Sequence, residues 1–181
     1  MSQNPQAELN RSPTNPAPAS ETVHEVVIRR VLNAPRELVF QVWTDPAHLV
    51  HWWGPHGFTN PRCEADARPG GAIRIDMRGP DGTVYPMIGE FREVVPPERL
   101  VFTSSALDAN GQPLFENLNI VTFADEGGKT AVTVRASVTT RTVAAEQYLK
   151  GMEMGWTQTV DRLAAYAEKT APNMRKGQHN D

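Results

Sequence analysis

Cysteine is almost absent from this chain: Cys63 is the single one among 181 residues. One cysteine cannot form a disulfide within the chain, and such sparse use is typical of a reducing compartment, so we expect a cytoplasmic location. No apolar run approaches the roughly 20 residues that cross a bilayer, and the first residues lack the basic and apolar parts of a secretory signal. The formal net charge is −3, without a basic excess. We therefore expect neither a membrane nor a nucleic acid as a partner.

The usual catalytic and metal-binding motifs are missing as well. The chain has no Gly-x-Ser-x-Gly elbow, no Gly-x4-Gly-Lys phosphate loop and no His-Glu-x2-His pair. His48 and His51 lie three residues apart on a predicted helix and His56 follows, but no standard ligand spacing accompanies them. We therefore expect no metal, no cofactor and no recognisable catalytic residue.

Two further features near the middle of the chain are expected to be structural. Cys63 shares the phase of Ala65 on a predicted strand, so we expect a small core residue rather than a reactive thiol. Asp66 and Arg68 flank the tight turn at 69–71. We expect them to form an ion pair or a turn cap there.

Composition divides the chain into one folded unit and two tails. Residues 1–21 carry four prolines, several Asn and Ser, and no aromatic residue. Such a stretch cannot bury enough apolar surface to offset its ordering entropy, so we expect a disordered tail. Residues 170–181 are polar and are expected to form a flexible C-terminal tail. Residues 22–169 are predicted to fold as a single domain.

Periodicity and turn residues predict one strand, two short helices, six further strands and a long final helix. The β-rich stretch 22–32 is the first strand. Pro35 suits the first position of a helix, and Asp45-Pro46 provides an N-cap and a first residue for a second helix that ends at the tryptophan pair. Short, turn-rich connections imply antiparallel neighbours. The later strands are predicted near Phe58–Ala67, Ala72–Arg78, Val84–Val94, Leu100–Ser105, Phe115–Phe123 and Thr130–Thr139.

The final helix, about Val143–Lys169, is predicted to cover the sheet. Along 132–138, Val and Ala at even positions alternate with polar residues at odd positions, so one face of the sheet needs a cover. The helix has an apolar stripe that can provide it. Gly151 and Gly155 lie inside this helix, and each lowers helix stability by about 1 kcal/mol relative to alanine. Close packing of the helix on the sheet is the favoured explanation. Room for a ligand beneath the helix is the functional alternative, and the two are compatible.

The segment 51–55, His-Trp-Trp-Gly-Pro, is the most informative stretch. Two adjacent indoles are too large to leave bare in water, so at least one packs into a core or lines a cavity. Gly54 and Pro55 then end the preceding helix and turn the chain. This stretch points to a fold with a hydrophobic pocket.

A series of motifs, in order along the chain, resembles a known family. They cover about His24 to Lys169 and read Asn33-Ala34-Pro35-Arg36-Glu37-Leu38-Val39-Phe40, Trp43-Thr44-Asp45-Pro46, Trp52-Trp53-Gly54-Pro55, Asp66-x-Arg68-Pro69-Gly70-Gly71, Gly79-Pro80-Asp81-Gly82, Gly89-Glu90-Phe91, Val95-Pro96-Pro97-Glu98-Arg99-Leu100 and Gly155-Trp156. The family is that of homologues of the heat-shock-protein-90 ATPase activator, within the START-like, or SRPBCC, superfamily.

The resemblance implies an α+β helix-grip fold. In it, a curved antiparallel sheet of about seven strands wraps around a long C-terminal helix, two short helices follow the first strand, and a cavity lies between sheet and helix. It implies much less about function, because members of the family include a chaperone-activating domain and a self-sacrificing antibiotic-resistance protein, and the superfamily adds lipid carriers and polyketide cyclases. The matched motifs are turn and core residues, so no catalytic residue carries over.

Strand and helix phase then predict which residues line the cavity. An apolar pocket with a few amides and a phenol suits a small hydrophobic ligand that carries one or two polar groups. These polar groups could instead satisfy one another or the backbone, with no ligand. The predicted lining is Trp53, Phe58, Ile75, Met77, Tyr85, Met87, Phe91, Phe102, Asn117, Asn119, Met152 and Trp156.

Three functions stay open at this point. The first is binding of a small hydrophobic molecule, for sequestration or resistance. The second is a cyclase- or hydrolase-type enzyme on an apolar or aromatic substrate, which a cavity dyad such as Glu93 or Glu116 facing Tyr85 would favour. The third is a chaperone ATPase-activating interaction module. We expect no counterpart of the extra N-terminal domain of the eukaryotic activators, which counts against it. Whether the protein is a homodimer also stays open.

Overall fold

The computed structural model describes residues 22–140 and 143–177. The predicted disordered tail 1–21 lies outside the described residues, as do residues 178–181 of the predicted C-terminal tail. The elements in chain order are β1 (Thr22–Leu32), α1 (Arg36–Thr44), α2 (Pro46–Trp52), β2 (Thr59–Ala65), β3 (Ala72–Arg78), β4 (Val84–Val95), β5 (Arg99–Ala106), β6 (Asn117–Glu126), β7 (Lys129–Thr140) and α3 (Val143–Gly177).

The seven strands form one antiparallel sheet in the order β1-β7-β6-β5-β4-β3-β2. The first strand pairs with the last because α1 and α2 carry the chain across to the far edge, where β2 begins. The even positions of β7 from 132 to 138 are buried, as alternation predicted. The predicted α+β helix-grip fold is confirmed.

The two short helices begin at the signals that the sequence carries. The Asp45 carboxylate accepts a hydrogen bond from the Ala47 backbone N–H at 2.8 Å, and Pro46 is the first residue of α2, as predicted. Pro35 differs by one position: it is the N-cap of α1, with extended backbone, and the helix begins at Arg36. A proline suits either position, because neither needs its missing N–H.

Aromatic side chains from α1, α2 and β6 form the centre of the core. The Trp43 ring centroid lies 4.9 Å from that of Trp52 and 5.9 Å from that of Phe123. Trp52 is fully buried, and its indole N–H donates to the Val42 carbonyl oxygen at 3.0 Å. The first tryptophan of the pair is therefore a core residue. Trp53 is also buried, and its ring contacts those of Trp43 and Trp156.

The long helix α3 divides into two halves with different surroundings. Its C-terminal half is anchored in the core by buried Val160, Leu163 and Ala167. Arg30 of β1 also forms an ion pair with Asp161. The helix continues to Gly177, past the end predicted at Lys169. Ala171 is 6% exposed and packs on the core there, so tertiary contacts accompany this last part of the helix, in which Pro172 lacks the N–H for one backbone hydrogen bond.

Three strand ends differ from the sequence prediction by two residues or more. β6 ends at Glu126 rather than Phe123. β6 begins at Asn117 rather than Phe115, because the Phe115 ring lies against Tyr148 of α3 with ring centroids 5.5 Å apart. β2 ends at Ala65 rather than Ala67, where the backbone enters the turn at 66–71. In that turn Gly71 has no substitute, because a Cβ would lie 1.8 Å from the Asp66 carbonyl oxygen.

Candidate functional site

A cavity of about 460 Å³ opens between the N-terminal half of α3 and the inner face of the sheet. Strands β3 to β6 form its floor, and the loop between α2 and β2 closes one side. This volume is within the range of pockets that take small molecules. Twenty described residues line it: Trp53, Gly54, Pro55, Phe58, Met77, Tyr85, Pro86, Met87, Ser104, Ala106, Leu107, Phe115, Asn117, Gln147, Tyr148, Gly151, Met152, Gly155, Trp156 and Thr159.

The structure brings most of the predicted lining together. Eight of the twelve predicted residues lie on the cavity wall: Trp53, Phe58, Met77, Tyr85, Met87, Asn117, Met152 and Trp156. Trp53 and Trp156 meet there, edge to face, with ring centroids 5.7 Å apart. Whether these residues bind a ligand remains a prediction.

The other four predicted residues lie behind the wall. Ile75, Phe91 and Phe102 are at most 2% exposed, and with Trp53 they line a void of about 10 Å³, room for one water at most. Asn119 is fully buried. The strand phase assigned to these residues is right, because they point inward. Their assignment to the cavity lining is wrong, because the Trp53 indole lies between the cavity and the three apolar residues, and Asn119 lies behind Ser104.

Residues from loops and from the covering helix complete the wall and were missed in the sequence. Leu107 and Phe115 come from the connection between β5 and β6, which phase cannot place. Tyr148 and Thr159 follow the helical spacing of Met152 and could have been found from it. Ser104 could also have been found, because it shares the inward phase of Phe102.

Gly151 and Gly155 face open space. Each lines the cavity, and a Cβ built on either would meet nothing within 4 Å apart from its own helix. Close packing of the helix on the sheet, the favoured explanation from the sequence, is therefore wrong. The missing side chains leave the cavity wide at the cost of about 1 kcal/mol of helix stability each.

A small polar cluster interrupts the apolar wall. The Asn119 side-chain amide donates to Ser104 Oγ at 2.8 Å and to the Phe102 carbonyl oxygen at 3.3 Å. The Asn117 amide lies 3.5 Å from the same Ser104 Oγ, the outer limit of a hydrogen bond. The Oδ1 atoms of Asn117 and Asn119 are buried and have no hydrogen-bond partner among the described residues. Buried acceptors without partners are uncommon and call for an explanation.

Arg162 of α3 fastens the loop that closes the cavity. Its guanidinium donates to the carbonyl oxygens of Trp53, Gly54 and Pro55, each at 3.0 Å, and to that of His51 at 3.3 Å. These carbonyls follow the end of α2, where no further helical turn supplies donors. Burial lowers the pKa of Arg162, because carbonyl dipoles replace only part of the water around the charge. Gly54 has φ of +93°, so the loop depends on glycine there.

We expect Arg162→Met to lower the free energy of unfolding by about 2 kcal/mol, because the Gly54 and His51 carbonyls lose their donor. The Trp53 and Pro55 carbonyls keep the Asn60 amide and the Phe58 backbone N–H as donors. Arg92→Met is the matched control: Arg92 is exposed and contacts Glu90 at 3.1 Å, so its loss should cost less than about 1 kcal/mol. Urea denaturation of both variants measures the difference. Equal losses would mean that the contacts of Arg162 add nothing to stability.

The other chemically notable groups lie away from the cavity or in structural contacts. His48 Nδ1 lies 2.8 Å from the Tyr166 hydroxyl, and the His51 ring stacks on the same tyrosine. Within residues 22–140 and 143–177, no three His, Cys, Asp or Glu side chains are grouped as metal ligands. Glu93 pairs with Arg99 at 3.1 Å and does not line the cavity.

Glu116, the other candidate for an acid–base dyad with Tyr85, is also absent from the cavity lining. The ion pair predicted at the 66–71 turn is present, with Arg68 Nε 2.7 Å from Asp66 Oδ2. This pair is exposed and helps to shape the turn.

Cys63 is expected to react slowly with thiol reagents. It is half-buried against the core, and burial raises the pKa of its thiol to about 11. From an ordinary value of 9.0, this shift lowers the thiolate fraction about a hundredfold at pH 8. Iodoacetamide labelling of folded protein at pH 8 should be far slower than labelling in urea. Similar rates would contradict the burial of the thiol. Because folding raises this pKa, its contribution to stability is complete below about pH 9 and falls as pH rises through about 11.

Comparison with known proteins identifies the family. A family model described as "Activator of Hsp90 ATPase homolog 1-like protein" matches residues 33–168. The chain belongs to this family. A comparison with curated proteins found no match.

Solved structures of bacterial proteins share the fold of this Hsp90-activator-like family member. A protein from Chromobacterium violaceum is 30% identical, with a TM-score of 0.66 over 80% of this chain and 96% of that one. A protein from Nitrosomonas europaea is 26% identical, with a TM-score of 0.64 over 80% and 94%. A protein from Arthrobacter aurescens, at 24% identity and a TM-score of 0.72 over 80% and 86%, shows the shared fold. Among the described residues, no helix is both long and apolar enough to span a membrane.

Proposed function

We propose that this family member binds a small apolar molecule in the cavity between the sheet and α3. The two glycines of the covering helix are the observation that carries the proposal. A helix that served only to cover the sheet would be more stable with alanine at both positions, and the structure leaves room for alanine. The loss of helix stability at the two glycines is explained if the open space beneath the helix binds a ligand.

The chemistry of the wall supports the same function. Aromatic and methionine side chains make up much of the lining, and such side chains adapt to ligands of varied shape. Tyr85 and Tyr148, 38% and 45% exposed, lie where the cavity meets solvent. Their phenols can stay hydrated while their rings contact an apolar guest.

The alternatives have less support. An enzyme of the cyclase or hydrolase type would be expected to place an acid–base pair at the cavity. Tyr85 and Tyr148 are the titratable groups among the twenty described lining residues, and no Asp, Glu, His, Lys or Arg of that lining accompanies them. A chaperone-activating role is suggested by the name of the family alone. The proposal therefore takes a small molecule as the partner. It includes a cytoplasmic location, which the single, half-buried thiol of Cys63 supports.

Titration with the uncharged dye N-phenyl-1-naphthylamine tests the proposal. We expect saturable binding of one dye per chain, increased dye emission and quenching of tryptophan emission, because Trp53 and Trp156 line the cavity. Native mass spectrometry of the freshly purified protein can then identify a natural ligand by its added mass. Dye emission that rises without saturation, with unchanged tryptophan emission, would refute a binding cavity.

A further inference from the structure

The lining of the cavity has an unusual balance of charge and hydrogen-bonding groups. None of its twenty described residues carries a charge, and six are aromatic. Arg162, which contacts the loop that closes the cavity, directs its N–H groups to four backbone carbonyls. An ionised ligand would lose its hydration here and find no counter-charge, at a cost of several kcal/mol. The cavity therefore selects against ions.

The polar groups of the wall lie at one place, on two paired strands. Ser104 of β5 and Asn117 of β6 are register partners, and both line the cavity. Ser104 is 6% exposed, whereas the two tyrosines of the wall lie at the solvent side. The pair is therefore an inner polar spot in an otherwise apolar space.

Two hydrogen-bonding groups of this polar spot, one on Ser104 and one on Asn117, have no partner among the described residues. The Phe102 carbonyl can only accept, so its contact fixes the Asn119 amide with N–H toward both Phe102 and Ser104 Oγ. Ser104 Oγ accepts that bond, and its own hydrogen stays free to donate. Asn117 Oδ1 is a buried acceptor without a partner among the described residues. Because this atom is buried, a ligand reaches it only after the Asn117 side chain turns toward the cavity. With that turn, the wall offers one donor and one acceptor side by side.

We infer that the natural ligand is an uncharged aromatic molecule with a hydroxyl group, which donates to Asn117 Oδ1 and accepts from the Ser104 hydroxyl. This rests on the proposed function of the cavity. A hydroxyl both donates and accepts, so it satisfies the pair even if the Asn117 amide is turned by 180°. An ether can only accept, and a carboxylate is charged, so each fits this spot less well.

Three biphenyls that differ in one substituent test the inference by tryptophan quenching at pH 7. We expect 4-phenylphenol to bind about tenfold more tightly than 4-methoxybiphenyl, because a hydroxyl gains a hydrogen bond that the ether cannot make. Biphenyl-4-carboxylate should bind at least about a hundredfold more weakly than the phenol, because its charge is not compensated. Tighter binding of the carboxylate, or equal binding of phenol and ether, would overturn the inference.

Asn117→Leu makes the test specific to the polar spot. We expect this variant to lose the preference for the phenol, so that 4-phenylphenol and 4-methoxybiphenyl bind it with similar affinity. Asn173→Leu, an exposed substitution at the other end of α3, should keep that preference. A preference retained in Asn117→Leu would contradict the role of this residue.

The outcomes separate the two proposals. If 4-methoxybiphenyl binds saturably and Gly155→Leu weakens that binding, the cavity binds ligands. In that case an absent phenol preference refutes the hydroxyl inference alone. If none of the three probes binds the folded wild type, both proposals fail.

Discussion

Replacement of Gly155 by leucine should weaken binding of N-phenyl-1-naphthylamine at least tenfold without destabilising the fold. Gly155 lines the cavity, and a Cβ there meets nothing within 4 Å, so the leucine side chain enters space that a ligand would use. The loss corresponds to about 1.4 kcal/mol of binding free energy. Stability should rise, because leucine favours a helix interior over glycine by nearly 1 kcal/mol. Dye titration and thermal denaturation of the same sample measure both effects.

Ala165→Leu is the matched control for this substitution. Ala165 lies on the exposed side of the same helix, outside the cavity lining. The same side chain added there should leave dye affinity unchanged. If both leucine variants bind the dye as the wild type does, the dye occupies some other site and the cavity is not the binding site. If the Gly155→Leu protein is folded and has lost affinity for the dye, the binding site is the space beneath α3.

Replacement of Trp43 by alanine should lower the free energy of unfolding by about 3–5 kcal/mol, the largest loss that we expect from one substitution. Trp43 is 2% exposed and contacts aromatic rings from α2, from the loop that follows it and from β6. Truncation leaves a void that three separate elements would have to close together, and their backbones limit such a collapse. Urea denaturation followed by far-UV circular dichroism measures the loss.

Tyr148→Ala is the control for loss of an aromatic ring. Tyr148 is 45% exposed and contacts Phe115 on one side, so its truncation should cost less than about 1 kcal/mol. If Trp43→Ala costs no more than Tyr148→Ala, the cluster of tryptophans is not the centre of the core. Trp43→Phe should lie between the two, because it keeps part of the ring contacts.

The sheet and its cover were predictable because they depend on local periodicity. Alternation along β7 predicted its buried even positions, and all of those from 132 to 138 are at most 1% exposed. The apolar stripe of α3 predicted which helix covers the sheet. Proline and Asp45 marked the starts of the short helices to within one residue. The end of α3 was missed, because the burial of Ala171 is a tertiary contact that a polar local sequence does not reveal.

The depth of a residue along a strand was not predictable from phase. Ile75 and Met77 have the same phase on β3 and lie two positions apart, yet Ile75 is in the core and Met77 is on the cavity. The boundary between them is the Trp53 indole, which comes from a loop distant in sequence. Phe91 and Phe102 fall behind the same boundary as register partners. Sequence phase thus gave the direction of each side chain, and packing of one distant residue decided which of them meet a ligand.

The location of a bound molecule among the methionine side chains tests ligand binding beneath α3 most directly. Met77, Met87 and Met152 line the cavity, whereas Met154 is 68% exposed on the same helix. Protein labelled with ¹³C at the methionine methyl groups can be saturated with N-phenyl-1-naphthylamine and studied by NMR. We expect intermolecular nuclear Overhauser effects from the dye to the three cavity methyls and none to Met154. Contacts confined to Met154, or a saturating dye with no contact to the three cavity methyls, would contradict a binding site between the sheet and the helix.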